Sequence, residues 1–577
     1  GGLASAGVLM ALALAFPLAG AARAASPEPG MPTGAPAATA RLVTTPHTRP
    51  AGYRLTASRV LRIAAADPRV KAELRRHPRA QPYEYTRALP VWQVSWFSDT
   101  HPQHELMQVY VDDATGKVAQ VWIGFQVAWT MARGYPGAFG RDVNAWYVWL
   151  PLCALFLAPF VPWPRRGGGA RRRPRLRLLH LDLAALLGFS ISLALFNHAR
   201  IGLSVPLVYP FLIYLLGRML LLANGRGVSR LPLRASVPDS WLAVGTVFLI
   251  AFRIALNVLD SNVIDVGYAG VIGADKLVHG QPLYGNWPHD NMYGDTYAPF
   301  AYYAYVPFRL IFGWSGHWDS LPAAHAAAIC FDLLALAGLY LLGRRLRDRS
   351  LGLLLAYCWA SYPFTLYALS SNTNDALVAV MVIAALLVLG SAPARGAVAL
   401  LAGMTKFAPF ALAPLLLRGT AHRPRERSLA AFLLAFAVLA FLVMLPVVLH
   451  GDLGHFWDDS VRYQSDRVTP FSVWGLWGGL GVVQHLLQGA VIALALGAAL
   501  LPSRRGVVEV AALSAAILIA LQLVANYWLY PYIVWFFPAV IVALLASHPT
   551  PLQASVREWE SSVDGPAGVA RVGIASG

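Results

Sequence analysis

"SWLAVGTVFLIAFRIALNVLDSNVIDVGYAGVIGADKLVHGQPLYG", residues 240–285, sets the reading of the whole chain. Its first twenty residues, 240–259, are long and apolar enough for a helix across a bilayer. Two carboxylates, Asp260 and Asp265, then stand where the chain leaves the lipid. A carboxylate there is either an ordinary interfacial charge or the base of an enzyme that works at the membrane surface.

The rest of the chain carries the same signature. Of 577 residues, 57% are hydrophobic and 13% are charged, against about 25% charged in soluble domains. The expectation is an α-helical polytopic membrane protein with about 11–13 membrane segments. The formal charge is +17, but most arginines sit in short loops between apolar runs. That is the pattern of cytoplasmic loops, and it argues against nucleic-acid binding. Cys153, Cys330 and Cys358 all lie inside apolar runs, so no disulfide framework is expected.

Residues 1–24 include the apolar "LASAGVLMALALAFPLAGAA" and read as a signal peptide or anchor helix. Residues 25–50 are rich in Pro, Ala and Thr and read as a flexible linker. Residues 51–140 form a small α+β insert: "TASRVLRIAAADPRVKAELRRHP" has helical spacing, whereas "VWQVSWFS" and "LMQVYVDDATGKVAQVWIG" alternate as strands around the turn "DDATGK". Trp92, Val94, Val109, Val111, Asp112, Thr115, Gly116 and Lys117 make this insert resemble a PepSY-like domain, which implies a binding or regulatory accessory.

Seven arginines between 165 and 177 mark the cytoplasmic side, so span 144–163 runs inward and residues 25–140 lie outside. Residues 144–235 then supply accessory transmembrane helices, and 240–546 the main transmembrane domain. Residues 299–313 are short for a span, and the loop charges balance only if they do not cross. Residues 396–417, broken by Lys406 and two prolines between basic loops, read as two half-helices that dip in and return. Arg253 and Asp332 fall at similar depth in facing spans and read as a structural ion pair. The tail, 547–577, is polar, cytoplasmic and disordered on this reading.

Under this topology four polar regions meet at the outer face. They are the loop after Asp260, the turn "SSNTND", the loop 450–480 and the aromatic stretch at 526–532. One pocket there fits a lipid-phosphate sugar. The tail lies in lipid, Arg467, Arg462 or Lys406 pairs with the phosphate, and a carboxylate accepts the proton of the attacking hydroxyl. Asp260 and Asp265 are the catalytic candidates. Tyr268, His279, Tyr284, Asp295, Tyr297, Asn372, Asn374 and Tyr527 are the substrate-binding candidates. No metal ligand set is assigned to the His residues, although Asp290 and Asp295 offer hard oxygens for a divalent cation or serve as turn residues. Asp265 also suits a helix start.

"IDVGYAGVIGADKLVHGQPLYG" is similar to the first outer loop of GT-C membrane glycosyltransferases, and "GDTYAPFAYYAYVPF" to the aromatic segment that closes it. "NTNDALVAVMVIAALL", "GAVALLAGMTKFAPFALAPLLL" with Lys406 and Pro409 as K-x-x-P, and "RYQSDRVTPFSVWGLWG" resemble segments of glycosyltransferase family 87. That family holds polyprenyl-phosphomannose-dependent mannosyltransferases. The resemblance covers residues 240–546 and implies Asp265 as base. It further implies a polyprenyl-phosphate sugar donor (mannose or pentose), an extracytoplasmic glycan or glycolipid acceptor, and an inverting single displacement. Residues 25–235 depart from the family, and the D-x-x-Y-G-D-T-Y pattern at 290–297 matches no mannosyltransferase segment named above, which leaves the sugar open. Alanine-rich spans and basic loops point to a bacterial inner membrane. The rival readings are a lipid or glycan transporter and a polytopic anchor presenting the PepSY-like domain.

Overall fold

The computed structural model describes residues 40–87, 91–102, 104–128, 130–134, 138–161, 177–229, 231–233, 235–421, 425–466, 469–502 and 505–549. The expected leader, most of the arginine-rich loop, most of the tail and Arg467 lie outside the described residues.

Near the N-terminus, β1 (Arg41–Leu42), β2 (Gln81–Thr86), β3 (Val91–Phe97), β4 (Glu105–Asp112) and β5 (Val118–Ile123) form one antiparallel sheet in sequential order. Strand alternation turns Trp92, Val94 and Trp96 with Met107, Val109 and Val111 to one face. There they pack on Ala57, Val60 and Ala64 of α1 (Ala57–Ala65) and Val70 of α2 (Pro68–Arg76). The turn between β4 and β5 is held by Asp112, whose Oδ1 accepts from the Thr115 amide at 2.6 Å. Gly116 there has φ 64, a conformation that a Cβ penalises. β1 draws residues 41 and 42, which read as linker, into the sheet edge; a strand of two residues is too short to show alternation.

The helical part begins with α3 (Trp146–Leu157), α4 (Leu178–Phe196), α5 (Ile201–Ala223) and α6 (Asp239–Leu259). Next come α7 (Asp265–Val278), α8 (Pro299–Tyr303), α9 (Val306–Phe312) and α10 (Pro322–Leu346). Then follow α11 (Arg349–Ser361), α12 (Pro363–Ser370), α13 (Asp375–Leu387), α14 (Ala392–Thr405) and α15 (Ala413–Arg418). Finally there are α16 (Glu426–Leu449), α17 (Gly481–Gly497), α18 (Val507–Val524) and α19 (Ile533–Ala546). Among the described residues six helices, α4, α5, α6, α10, α16 and α18, are long and apolar enough to cross a membrane.

Residues 299–313 form α8 and α9, each only a turn or two long and too short to cross a bilayer alone. The apolar run 352–370 is two helices divided at Pro363. Proline has no N–H, so the carbonyl of Trp359 loses its helical donor, and the bend also frees the carbonyl of Ala360. The fold fills both: Thr365 Oγ1 donates to the Trp359 carbonyl at 2.6 Å, and Arg253 Nη1 to the Ala360 carbonyl at 3.1 Å. Arg253 also pairs with Asp332, with Nε 3.0 Å from Oδ2, and Trp359 Nε1 donates to Asp332 Oδ1 at 2.8 Å. This is the expected structural ion pair. A second buried pair, Arg218 with Asp182 at 3.1 Å, ties α5 to α4.

The segment between the sheet and α3 docks on the end of α6. Asp260 pairs with Arg141 at 3.2 Å and accepts from the Asp142 amide at 2.8 Å. The sheet thus sits on the side of the helical layer where α6 ends and α7 starts.

Candidate functional site

Helix lengths bring the central charges together. α13 runs 13 residues away from Asp375, its first residue, which is about 20 Å. α14 runs back over 14 residues, about 21 Å, and ends at Thr405. Lys406, the next residue, adopts extended backbone with φ −150 and ψ 145. It has therefore returned to the level of Asp375, and Lys406 Nζ lies 2.6 Å from Asp375 Oδ1. Pro409 helps to prevent the helix from continuing. The chain then descends through α15, and Arg395 Nε donates to the Leu416 carbonyl at 2.7 Å, closing the basic end. Residues 392–418 are therefore two short helices that run out and back, with Lys406 at the turn between them.

Three rings surround the ammonium: Trp535 with its centroid 5.1 Å away, Tyr532 at 5.2 Å and Tyr297 at 5.8 Å. Cation–π attraction and the Asp375 carboxylate hold the charge in place. Trp535 Nε1 donates to the same Asp375 oxygen at 2.7 Å. The pair is nearly buried, with 10% of the Lys406 side chain and 2% of that of Asp375 exposed.

Lys406 and Asp375 line a cavity of about 1050 Å3. Asp265 lines the same cavity as the first residue of α7, where a helix N-terminus favours a carboxylate. The Asp265 carbonyl accepts from Asn291 Nδ2 at 3.0 Å, which fixes the turn. Gln484, His485 and Gln488 of α17 add polar groups, while Val491, Ile492 and Leu521 make another part of the wall apolar. Thr130, Met131 and Phe139, from the segment joining the sheet to α3, also line it. Among the described residues, Lys406 is the one Lys or Arg in the lining. A smaller cavity of about 260 Å3 shares Asp265, Thr296 and Tyr297 with the large one.

The structure distributes the expected site residues unevenly. Asp265, Lys406, Tyr297 and Tyr527 line the large cavity. Asp260 does not, because Arg141 and the Asp142 amide hold it. Arg462 projects from a π-helical turn, Phe456–Arg462, with 69% of its side chain exposed and Asp458 3.8 Å away. Tyr268 is buried against Trp318 and its hydroxyl donates to Asp290 Oδ2 at 3.2 Å. Burial first, and the Asp290 charge second, push that phenol above its ordinary range. His279 sits beside Asp275, with Nδ1 2.9 Å from that residue's carbonyl. The Tyr284 hydroxyl donates to the Tyr297 carbonyl at 2.9 Å, which ties down the loop.

Asn372 is a buried brace. Its Nδ2 donates to Ser261 Oγ and to the Asn262 carbonyl, both at 2.9 Å. Asn374 is buried at the start of α13 and lines neither cavity. Asp295 accepts from the Gly285 amide at 3.1 Å. Burial, then the Asp459 charge, push its carboxyl up to about 6, against the Gly285 amide and Lys276. Asp290 and Asp295 therefore take separate partners, and the described residues hold no group of three or more His, Cys, Asp or Glu placed to ligate one metal ion.

Asp375 as the partner of Lys406, Trp535, and the α17 row were not expected site residues. Gln484 and Gln488 at i,i+4 beside His485, in an otherwise apolar helix, are the signal that marks the row. Compared with protein-family models, curated proteins and solved structures, the chain matches none.

Proposed function

We propose that the chain is a membrane glycosyltransferase. It moves a sugar, mannose or a pentose, from a polyprenyl phosphate to a glycan or glycolipid on the extracytoplasmic face of a bacterial inner membrane. One observation carries the reading: a carboxylate, Asp265, and a caged cation, Lys406, line one cavity with both polar and apolar walls. That is the layout a lipid-phosphate sugar requires. Asp265 takes the proton of the acceptor hydroxyl as it attacks the anomeric carbon. The bond to the phosphate oxygen breaks, and the polyprenyl phosphate leaves with one more negative charge, which Lys406 neutralises. An ammonium has three donors and Asp375 takes one. Attack and departure on opposite faces of the sugar invert the anomeric centre.

The test is transfer by purified protein in proteoliposomes, from labelled polyprenyl-phosphate mannose or pentose. Asp265→Asn is expected to keep the fold and to lower transfer by about 10²–10⁴-fold. Wild-type transfer by that variant removes Asp265 as base. Lipid scrambling without transfer by the wild type would instead favour a transporter.

A further inference from the structure

Resting on the transfer reading, we infer that the smaller cavity is the acceptor subsite, built for a single uncharged sugar ring. Its volume, about 260 Å3, is roughly that of eight or nine bulk waters. This is room for one ring of the acceptor, and the cavity opens outward, so the rest of an acceptor saccharide can extend from it. Its lining includes Asp265, Asp290, Asn291, Thr296, Tyr293 and Tyr463. These side chains offer carboxylate, amide and hydroxyl groups, the partners that sugar hydroxyls need. Two carboxylates, Asp265 and Asp290, line it and none of the described lining residues is Lys, Arg or His, a lining that favours a neutral ring over a phosphate or a uronate.

The rings of Tyr293 and Tyr463 stack at 5.5 Å between centroids with planes 17° apart, giving flat aromatic surface for the C–H face of a sugar. They come from distant parts of the chain, the loop before α8 and the helical turn after Arg462. Ser460 Oγ fixes that approach by donating to the Asp295 carbonyl at 2.9 Å. Above all, the two cavities share Asp265, Thr296 and Tyr297. A ring in the small cavity lies beside Asp265, which it shares with the large cavity, whereas Lys406 lines the large cavity alone. The shared wall is thus the place where acceptor oxygen and donor anomeric carbon meet. Asp290, whose carboxylate accepts from the Tyr268 hydroxyl, is a positioning residue for the ring.

The experiment uses the full chain in nanodiscs. Saturation-transfer NMR reads binding of methyl α-mannopyranoside and methyl pentosides, with mannose 6-phosphate as the charged competitor. Wild type is expected to bind at least one neutral glycoside. Mannose 6-phosphate is expected to compete at least tenfold more weakly. Tyr293→Ala, at a ring that is 61% exposed and tolerant of change, is expected to abolish the signal. In turnover, Tyr293→Ala and Asp290→Asn are expected to raise the acceptor KM about tenfold and leave the donor KM within twofold.

Equal competition by the phosphorylated sugar overturns the proposal. So does binding that Tyr293→Ala leaves unchanged, or a donor KM that rises with the acceptor KM. Tyr293-dependent binding with no transfer to any acceptor removes the transfer reading but keeps the sugar subsite. Transfer with a Tyr293-independent acceptor KM does the reverse.

Discussion

Two acid–base pairs inside the helical layer look alike in composition and differ in surroundings. Arg253 and Asp332 have 0% and 4% of their side chains exposed, and the guanidinium spends its remaining donors on Ala360 and Thr365. Lys406 and Asp375 face a cavity, and aromatic rings stand where Arg253 has hydrogen-bond acceptors. Each acid also accepts from one indole, Trp359 for Asp332 and Trp535 for Asp375. The first pair closes a break in a helix. The second holds a cation ready beside an open space. A charge enclosed on all sides serves the fold; a charge caged on one side and open on the other is placed to meet a ligand under the proposed function.

The sharpest contrast comes from removing each cation. Arg253→Met leaves Asp332 and the Ala360 carbonyl buried without their partner, and is expected to destabilise the protein by about 3–5 kcal/mol. Thermal unfolding in detergent measures this, and the double variant Arg253→Met/Asp332→Leu is expected to recover most of the loss. Lys406→Met is expected to lower transfer about 10²-fold while costing about 1–3 kcal/mol in stability, since Asp375 keeps its indole donor. If Lys406→Met unfolds the protein as Arg253→Met does, the two pairs play one role and the contrast fails.

Asp295 is an intermediate case: a buried carboxylate with a backbone donor, whose nearby charges are Asp459, the stronger influence, and Lys276, which does not reach ion-pair distance among the described residues. Its pKa is raised from the ordinary carboxylate value of 3.8 to about 6. The folded state therefore holds this proton more tightly than the unfolded chain does. Its contribution to stability is full below pH ~4 and is lost as pH rises through ~6, on the order of 2 kcal/mol. Unfolding followed from pH 4 to 7 is expected to show that slope in the wild type and not in Asp295→Asn. A wild type that gains stability over this range relative to the variant refutes the assignment.

The smallest effect lies in the two indoles. Trp359→Phe removes a donor from an enclosed acid, whereas Trp535→Phe removes one from an acid beside a cavity that can admit water. The first is expected to cost about 1 kcal/mol more in stability than the second. The second is expected to show its larger effect on the donor KM.

Much of this architecture is written in local patterns. The strands around Gly116, the short helices in 299–313 and the break between two short helices near Lys406 all follow from periodicity and proline placement. Arg253 and Asp332 are legible as a pair because unpaired charges at equal depth are costly. The partner of Lys406 was not legible, because it lies 31 residues away and is set by two helix lengths that must match. Asp260 and Asp265 have the same residue type and nearly the same place in the chain, yet the first pairs with Arg141, 119 positions upstream, and lies off the cavity that the second lines. Arg462 reads as a phosphate ligand only if the 450–480 loop is open; the π-helical turn instead carries it outward. What a residue is bonded to depends on contacts that periodicity does not carry.

The most direct measurement is a cryo-EM map of the protein in nanodiscs with an unreactive polyprenyl phosphonate-linked sugar. The expected map shows a phosphonate oxygen within hydrogen-bond distance of Lys406 Nζ and the anomeric carbon turned toward the Asp265 carboxylate. A phosphonate bound outside that cavity, or inside it but away from both side chains, would contradict the account.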